Sequence, residues 1–392
     1  MSPRSDIGIG MVGYAFMGRA HSQAWHTVAR AFDVPLQPRL AAICGRDKTA
    51  ARTAADRLGW AAVETDWRAL VDRDDVDLID IAAPGDTHAA IAIAALRAGK
   101  HVLCEKPLAN TLTEAAAMAA AAAAAYAGGA RAMVGFNYRR VPALALARKL
   151  VEDGRVGTLR HVRAVYLQDW LTDPDAPMTW RMRAERAGSG ALGDLGAHIV
   201  DLTRFLTGEE ITGVAAVSAT FTGERPLPDG SGTGTVTVDD AVLFTARLSG
   251  GALASFEATR CATGRKNGLR IELNGTAGSL AFDLERLNEL EFFDGAGPGP
   301  DAAAAGFRRI LVTEPDHPYL DGWWPPGHTL GWEHTFTNQA RDLLTAIAAG
   351  AQPAPSFADG LAVQRVLDAV QTSAQLAGGD VPASPSGKAA DA

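Results

Sequence analysis

Cysteine is scarce in this sequence. The 392 residues contain three, Cys44, Cys104 and Cys261, and an odd number at wide spacing indicates neither a disulfide framework nor a thiolate metal site. Runs of lysine and arginine are also missing, and the net charge is −8, so the charge pattern does not favour nucleic-acid binding. We therefore expect neither a metal ion nor a nucleic-acid partner.

Long hydrophobic runs are missing too. The most apolar stretch, residues 115–125, is almost entirely alanine, which is typical of a helix and is too short and too weakly hydrophobic to cross a bilayer. The first ten residues, MSPRSDIGIG, lack the apolar core of a signal peptide. We expect a cytoplasmic protein without a membrane partner.

The sequence shows two different patterns, which divide it near residue 138. In residues 1–138, short apolar runs alternate with helical segments, which predicts a doubly wound parallel sheet. In residues 139–378, helices flank many alternating runs that are separated by Gly, Asp and Asn turns, which predicts an α+β domain with a large, mostly antiparallel open sheet. The expected fold class is therefore α/β with two domains, and residues 379–392 are expected to form a disordered tail.

Two overlapping glycine frames lie in the first stretch, DIGIGMVGYAFMGRAH. The complete frame, GIGMVG, falls inside the predicted strand at residues 7–12 and leaves no strand before it. The second frame, GYAFMG, places Gly13 just past the strand and Gly18 in the following helix, as a Rossmann dinucleotide-binding turn requires. We expect the second frame to bind the cofactor pyrophosphate, with the small Ala15 tolerated at the middle position.

The choice between NAD and NADP depends on Arg46 and Asp47, which follow the second predicted strand at residues 40–44. An acidic side chain in this place binds the ribose hydroxyls of NAD, whereas an arginine meets the 2′-phosphate of NADP or stacks on adenine. Both side chains are present, so NADP is possible, but we expect NAD.

Three further motifs carry a family resemblance: APGDTH at residues 83–88, EKP at 105–107 and GDLGAH at 193–198. With the glycine turn, they resemble the family named for glucose-fructose oxidoreductase, inositol dehydrogenase and a rhizopine-catabolism protein (Gfo/Idh/MocA). The resemblance covers the chain except for the tail. The segments GDLGAHIVDL and WPPGHTLGWEHTF look most like inositol dehydrogenases and levoglucosan-type sugar dehydrogenases. The expected cofactor-binding residues are Gly13, Ala15, Phe16, Met17, Gly18, Arg46, Asp47, Ala83, Pro84, His88, Glu105 and Lys106.

The resemblance implies an NAD(P)-dependent dehydrogenase that oxidises a secondary hydroxyl of an inositol, a pyranose or an anhydrosugar such as levoglucosan to a ketone. It also implies that Lys106, Asp194 and His198 are catalytic. Asp194 and His198 are four residues apart on a predicted helix, so they share a face. Histidine titrates near neutral pH, which favours His198 as the base. A lysine at the carboxyl end of a parallel strand could stabilise the developing alkoxide.

Each of these residues also has a structural interpretation. Asp194 and His198 could be a helix-surface pair, or two metal ligands without an evident third. Asp201 is expected either to support the residues that contact the substrate or to be structural. His88 either caps its helix or lies near the nicotinamide ribose, and Glu105 could be structural.

Substrate recognition is expected from aromatic and polar side chains of the second domain, because aromatic faces cover sugar C–H groups and polar groups bind hydroxyls. Packing between loop and sheet is an equally good explanation for any single tryptophan. The expected substrate-binding residues are Asn137, Tyr138, Arg139, Gln168, Asp169, Trp170, Trp180, Arg181, Asp194, His198, Trp324 and His328.

Two other functions fit the same resemblance. One is a glycosidase that oxidises its substrate transiently with bound NAD, and the other is a non-catalytic nucleotide-binding regulator. The presence of both Lys106 and His198 favours a catalytic protein. One face of the large sheet is expected to pair with a second subunit, which would give a homodimer or a homotetramer.

Overall fold

The computed structural model describes residues 5–295 and 305–376, so the tail predicted for residues 379–392 lies outside the described residues. The N-terminal sheet has six parallel strands in the order β3-β2-β1-β4-β5-β6. Its strands are β1 Ser5–Val12, β2 Leu36–Cys44, β3 Ala62–Glu64, β4 Leu78–Ile81, β5 His101–Cys104 and β6 Ala132–Val134. Its helices are α1 Phe16–Ala31, α2 Lys48–Leu58, α3 Trp67–Val71, α4 His88–Arg97 and α5 Leu112–Tyr126.

This sheet confirms the predicted doubly wound architecture. Apolar strands such as β4 are buried along their whole length because helices cover both faces of a parallel sheet. The strand order reverses between β1 and β4, and ligands of such sheets bind outside the carboxyl ends of the strands at that point. The edge strand β3 was not predicted from the sequence, since three half-buried residues make no recognisable pattern.

The second sheet has eight strands in the order β16-β15-β14-β13-β7-β12-β11-β8. Among the described strand pairs of this second sheet, only β7–β12 is parallel. This confirms the prediction of a mostly antiparallel sheet. The strands of this half are β7 Leu159–Leu167, β8 Ile211–Ala219, β9 Glu224–Pro226, β10 Thr233–Thr235, β11 Ala241–Leu248, β12 Leu253–Thr259, β13 Gly268–Gly275, β14 Gly278–Asp283, β15 Glu289–Asp294 and β16 Arg308–Leu311, of which β9 and β10 form a separate hairpin.

The helices of the C-terminal half are α6 Pro142–Glu152, α7 Ala184–Ala187, α8 Ala197–Thr207, α9 His334–Ala348 and α10 Phe357–Leu376. Among them, α9 and α10 pack against elements of the N-terminal half. Helix α9 packs against α1, where Leu343 and Leu344 join the same apolar cluster as Trp25 and Val28. Within residues 5–295 and 305–376, no helix is both long and apolar enough to cross a membrane.

The predicted helix that carries Asp194 and His198 begins differently from the expectation. Residues Leu192–Gly196 form a π-helical turn, and α8 continues from it. The carboxylate of Asp239 accepts hydrogen bonds from the amides of Gly190 (2.7 Å) and Leu192 (2.8 Å), which fixes the start of this turn. Single π turns inside helices occur often at functional sites.

Candidate active site

A cavity of about 560 Å³ lies where the carboxyl edge of the parallel sheet faces the large sheet. This volume is within the usual range for small-molecule sites. Sixteen of the sequence-predicted residues line it: Ala15, Phe16, Met17, Ala83, Pro84, His88, Glu105, Lys106, Asn137, Tyr138, Gln168, Trp170, Trp180, Arg181, Asp194 and His198.

The glycine turn contributes Ala15, Phe16 and Met17 to the cavity wall on the side of the parallel sheet. Gly13 has a φ of +101°, and a Cβ there would lie 2.6 Å from the carbonyl oxygen of Ala82, so only glycine fits. A Cβ at Gly18 would collide with the carbonyl oxygen of Gly13. Helix α1 then begins, and its first amides receive no side-chain cap from Ala15. A close turn followed by uncapped helix amides fits a dinucleotide pyrophosphate.

The glycines of the other frame have a packing role. Gly8 and Gly10 lie within β1. A Cβ at Gly8 would collide with the carbonyl of Asp75, and a Cβ at Gly10 would lie 2.9 Å from the side chain of Val76. These glycines let the loop before β4 pack closely on β1.

Lys106 and Asp194 meet across the cavity, although 88 residues separate them. The Lys106 Nζ donates to the main-chain oxygen of Asp194 at 2.7 Å and to its Oδ1 at 3.1 Å. Burial alone would raise the pKa of Asp194, but the positive charges of Lys106, Arg260 and Arg181 lower it to about 2. Asp194 is therefore an anion beside an ammonium group at neutral pH.

His198 is buried in an aromatic environment at the inner end of the cavity. Its ring centroid lies 4.6 Å from that of Tyr138, 5.8 Å from that of Tyr166 and 6.2 Å from that of Phe136. Burial, and then the positive charge of Lys106, holds the pKa of His198 well below its usual value. The ring is therefore neutral at pH 7 and can accept a proton.

A chain of polar side chains continues from these rings along the large sheet. The hydroxyls of Tyr138 and Tyr166 lie 2.8 Å apart, and the Tyr166 hydroxyl donates to Asn267 Oδ1 at 2.8 Å. Gln168 Nε2 donates to the same oxygen at 2.7 Å, and Trp170 Nε1 donates to Gln168 Oε1 at 3.0 Å. Sequence reasoning missed Tyr166 as a wall residue, although it lies near the end of β7 and two residues before Gln168, which follows the strand.

The aromatic wall also includes residues from the C-terminal part that were not predicted. Phe16 stacks on Trp332 with 5.3 Å between ring centroids, and Trp332 packs edge-on against Phe336. All three line the cavity. The segment WEHTF carried the family resemblance, so a signal for Trp332 and Phe336 was present.

Four predicted substrate-binding residues lie outside this cavity. Arg139 is buried and donates from Nε and Nη2 to the Asp201 carboxylate at 2.8 and 2.6 Å, so the pair is structural. Asp169 accepts from Lys266 Nζ at 2.7 Å. Both residues are held by oppositely charged partners instead of facing the cavity. The other two residues, exposed on the loop before α9, are Trp324 and His328.

Arg46 and Asp47 also lie outside the cavity, beyond the carboxyl end of β2. The Asp47 carboxylate caps α2 by accepting from the Ala50 amide at 2.9 Å.

His88 contacts carbonyl oxygens with both ring nitrogens, Pro107 through Nδ1 at 3.1 Å and Ala83 through Nε2 at 3.0 Å. Within the described part of the chain, no three His, Cys, Asp or Glu side chains are placed to hold a metal ion.

Comparison with known proteins agrees with this geometry. Residues 7–136 match the model of an oxidoreductase family with an NAD-binding Rossmann fold. Residues 144–281 match the model of the GFO/IDH/MocA C-terminal domain. The two matches correspond to the halves of the chain that contain the parallel sheet and the large sheet.

One relative and two solved structures extend the match over nearly the whole chain. Levoglucosan dehydrogenase of Pseudarthrobacter phenanthrenivorans is 42% identical, with 96% of this chain and 98% of the relative covered. The structure of levoglucosan dehydrogenase in complex with NADH and levoglucosan superposes with a TM-score of 0.90 at 42% identity, covering 95% of this chain and 98% of that one. The structure of an oxidoreductase domain protein from Kribbella flavida superposes with a TM-score of 0.92 at 64% identity, with the same coverage.

Proposed function

The chain belongs to the GFO/IDH/MocA family of oxidoreductases and is an NAD-dependent sugar or polyol dehydrogenase, and from this premise we propose that its substrate is an uncharged anhydrosugar, with levoglucosan the first to test. The observation that carries the proposal is the cavity in which Lys106, Asp194 and His198 meet beside the glycine turn. Oxidation of an alcohol needs a hydride acceptor beside the carbon and a proton acceptor beside the hydroxyl oxygen. A cavity that contains both the glycine turn and His198 can provide the two together.

In the proposed reaction, His198, Lys106 and Asp194 have different roles at the substrate hydroxyl group. Bound NAD⁺ supplies the hydride acceptor. The neutral ring of His198 takes the hydroxyl proton on a ring nitrogen, since its low pKa leaves it unprotonated at pH 7. The Lys106 ammonium, held by Asp194, hydrogen-bonds the same oxygen and stabilises its developing negative charge. Asp194 keeps this ammonium in place and is itself near enough to the cavity to bind a sugar hydroxyl.

The opposite wall supports an uncharged ring as the substrate. Trp170 and Trp180 offer aromatic faces, and Gln168 offers an amide. The two nearby guanidinium groups already have partners. Arg181 lies over the Trp180 ring at 4.5 Å, and Arg260 donates to the carbonyl oxygen of Asp239 at 2.9 Å. Both guanidinium groups also lower the pKa of Asp194, so this carboxylate offsets part of their positive charge.

The test is a spectrophotometric assay for NADH formation with levoglucosan, inositols, free pyranoses and a hexose phosphate as the charged sugar, each with NAD⁺ and NADP⁺. We expect turnover with levoglucosan and NAD⁺, and much less with charged sugars. The Lys106→Ala variant is the background control. Release of a glycosidic leaving group without net NADH would favour the glycosidase. No turnover with levoglucosan, or turnover only with inositols or free pyranoses, would reject an anhydrosugar as the substrate.

We also propose that the outer face of the large sheet pairs with a second copy of the chain. Three large apolar side chains on neighbouring strands, Val217, Leu243 and Leu253, are 55%, 48% and 51% exposed. A patch of this kind on a sheet face is typical of a subunit interface. Light scattering should give a dimer or tetramer, and Leu243→Glu should shift the mass towards the monomer; a monomeric wild-type protein would exclude the pairing.

A further inference from the structure

A buried histidine lies between two carboxylates directly behind the cavity. His21, on α1, is 2% exposed, and its Nδ1 lies 2.9 Å from Asp80 Oδ1 while its Nε2 lies 3.0 Å from Glu105 Oε1. Trp25 Nε1 donates to the other oxygen of Asp80 at 2.8 Å. His21 does not line the cavity, so the reaction described above does not use it.

The geometry fixes the charge of this cluster. A neutral imidazole has one N–H group, so it cannot donate to two carboxylates at once, whereas an imidazolium can. Burial lowers the pKa of His21, but Asp80 and Glu105 outweigh burial and raise it to about 10. His21 therefore carries a positive charge at neutral pH and lies between the carboxyl groups of Asp80 and Glu105.

Glu105 connects this cluster to the active site. Its Oε2 accepts from the main-chain amide of Lys106 at 3.2 Å, while its Oε1 is occupied by His21. The lack of a side chain at Gly135 gives the carboxylate room, since a Cβ there would lie 2.7 Å from Oε1. The ring of His21 also supports Phe336 of the cavity wall, with 5.3 Å between centroids. A continuous set of contacts thus runs from His21 to the residue that carries the ammonium.

We propose that His21 is a positioning residue: through Glu105 it fixes the main chain of Lys106 and so keeps the Lys106 ammonium on Asp194. The kinetic part of this inference rests on the proposed dehydrogenase function. The structural part, which concerns only the position of the Lys106 ammonium, does not rest on that function. Purely structural ion pairs stabilise the fold without affecting a group in the cavity, and this difference makes the inference testable.

The position of the Lys106 charge can be followed at His198. Lys106 lowers the pKa of His198, so a displaced Lys106 lets that pKa rise. His21→Asn keeps one amide donor for the two carboxylates but removes the positive charge. Glu105→Ala removes the carboxylate that accepts from the Lys106 amide and leaves His21 paired with Asp80. It therefore tests the connection between His21 and Lys106 if His21→Asn does not fold. His26→Gln, on the same helix, is the matched control, because His26 Nε2 contacts only the Leu58 carbonyl oxygen (2.8 Å) among its described hydrogen bonds.

The experiment is a ¹⁵N-histidine NMR titration of the full-length protein, with the His198 signal assigned by its loss in His198→Gln, together with steady-state kinetics. We expect the His198 titration to move to higher pH in His21→Asn and Glu105→Ala but not in His26→Gln. We expect kcat to fall roughly 10- to 100-fold in the first two variants, with smaller changes in KM, because small displacements of a catalytic group have effects of this size.

An unchanged His198 titration in both folded variants would overturn the inference, whatever their activity. If the wild-type protein oxidises no uncharged sugar, the proposed function fails, while the NMR result still decides whether His21 positions Lys106. A shifted titration in the His26→Gln control would show that any change on α1 disturbs the site, and that result would also overturn the specific role of His21.

Discussion

The Lys106 Nζ lies 2.7 Å from the main-chain oxygen of Asp194 and 3.1 Å from its Oδ1, and this contact joins the parallel sheet to the π turn that precedes α8. The lysine side chain is 14% exposed and that of the aspartate 31%, so the pair is partly shielded yet reachable from the cavity. In the proposed reaction, this contact holds the Lys106 ammonium where the substrate oxygen becomes negative. Catalysis should therefore depend on this pair and on the residues that support it.

Lys106→Ala is expected to abolish most turnover while NADH still binds. Loss of one group that stabilises a developing oxyanion lowers kcat by about 10²- to 10³-fold. Lys106 is also an expected cofactor-binding residue, but the glycine turn does not depend on it, so NADH should still bind, with a Kd raised by less than about tenfold. Fluorescence titration and steady-state kinetics separate the two effects. A variant with wild-type kcat would exclude Lys106 from the reaction.

The pH dependence should report the neutral state of His198. The base must be unprotonated, and its pKa is lowered below the usual 6.5, so kcat/KM should stay high as the pH falls through 6.5 and decline only at a lower pH. His198→Gln should lose roughly 10²- to 10⁴-fold near neutral pH and recover partly at high pH, where hydroxide replaces the base. His161→Gln, on β7 outside the cavity, is the control. A pH profile of unchanged shape in His198→Gln would contradict the role of base.

The buried pair of Arg139 and Asp201 should matter for stability instead of substrate affinity. Arg139→Met leaves the Asp201 carboxylate, 1% exposed, without its main partner, which costs about 3–5 kcal/mol of unfolding free energy. Arg163→Met breaks an exposed pair with Glu272 and should cost less than about 1 kcal/mol. Urea unfolding of both variants measures the difference. A raised KM without loss of stability in Arg139→Met would restore Arg139 as a substrate ligand.

Much of the fold follows from local patterns. The alternation of apolar strands and helices predicted the parallel sheet, and the turn-separated strands predicted the large sheet. The π turn at Leu192–Gly196 could not be predicted, because it depends on the Asp239 carboxylate from a distant strand connection. Strand β3 was missed for the opposite reason, since it is too short to form a pattern.

The sequence motifs predicted the central residues of the candidate site better than the residues of the cavity wall. Lys106, Asp194 and His198 lie together as expected, because each belongs to a segment with a recognisable order. Arg139 was placed in the substrate site only because it follows the last parallel strand, and the sequence does not show that Asp201, 62 residues later, pairs with it. Tyr166 was within reach of prediction, since it lies near the end of β7, two residues before the predicted Gln168, and both side chains donate to Asn267 Oδ1.

The glycine turn provides the last prediction. Gly13→Ala forces an alanine to adopt a φ of +101° and brings its Cβ against the Ala82 carbonyl, so the turn must move away from the position that receives the pyrophosphate. We expect the Kd for NADH to rise at least roughly tenfold, which corresponds to about 1.4 kcal/mol. Gly99→Ala is the matched control, because Gly99 has a φ of +77°, a Cβ there would meet no atom within 4 Å, and the residue does not line the cavity. It should lower stability slightly and leave NADH affinity unchanged. Equal NADH affinity in Gly13→Ala and wild type would mean that the frame starting at Gly13 does not hold the cofactor.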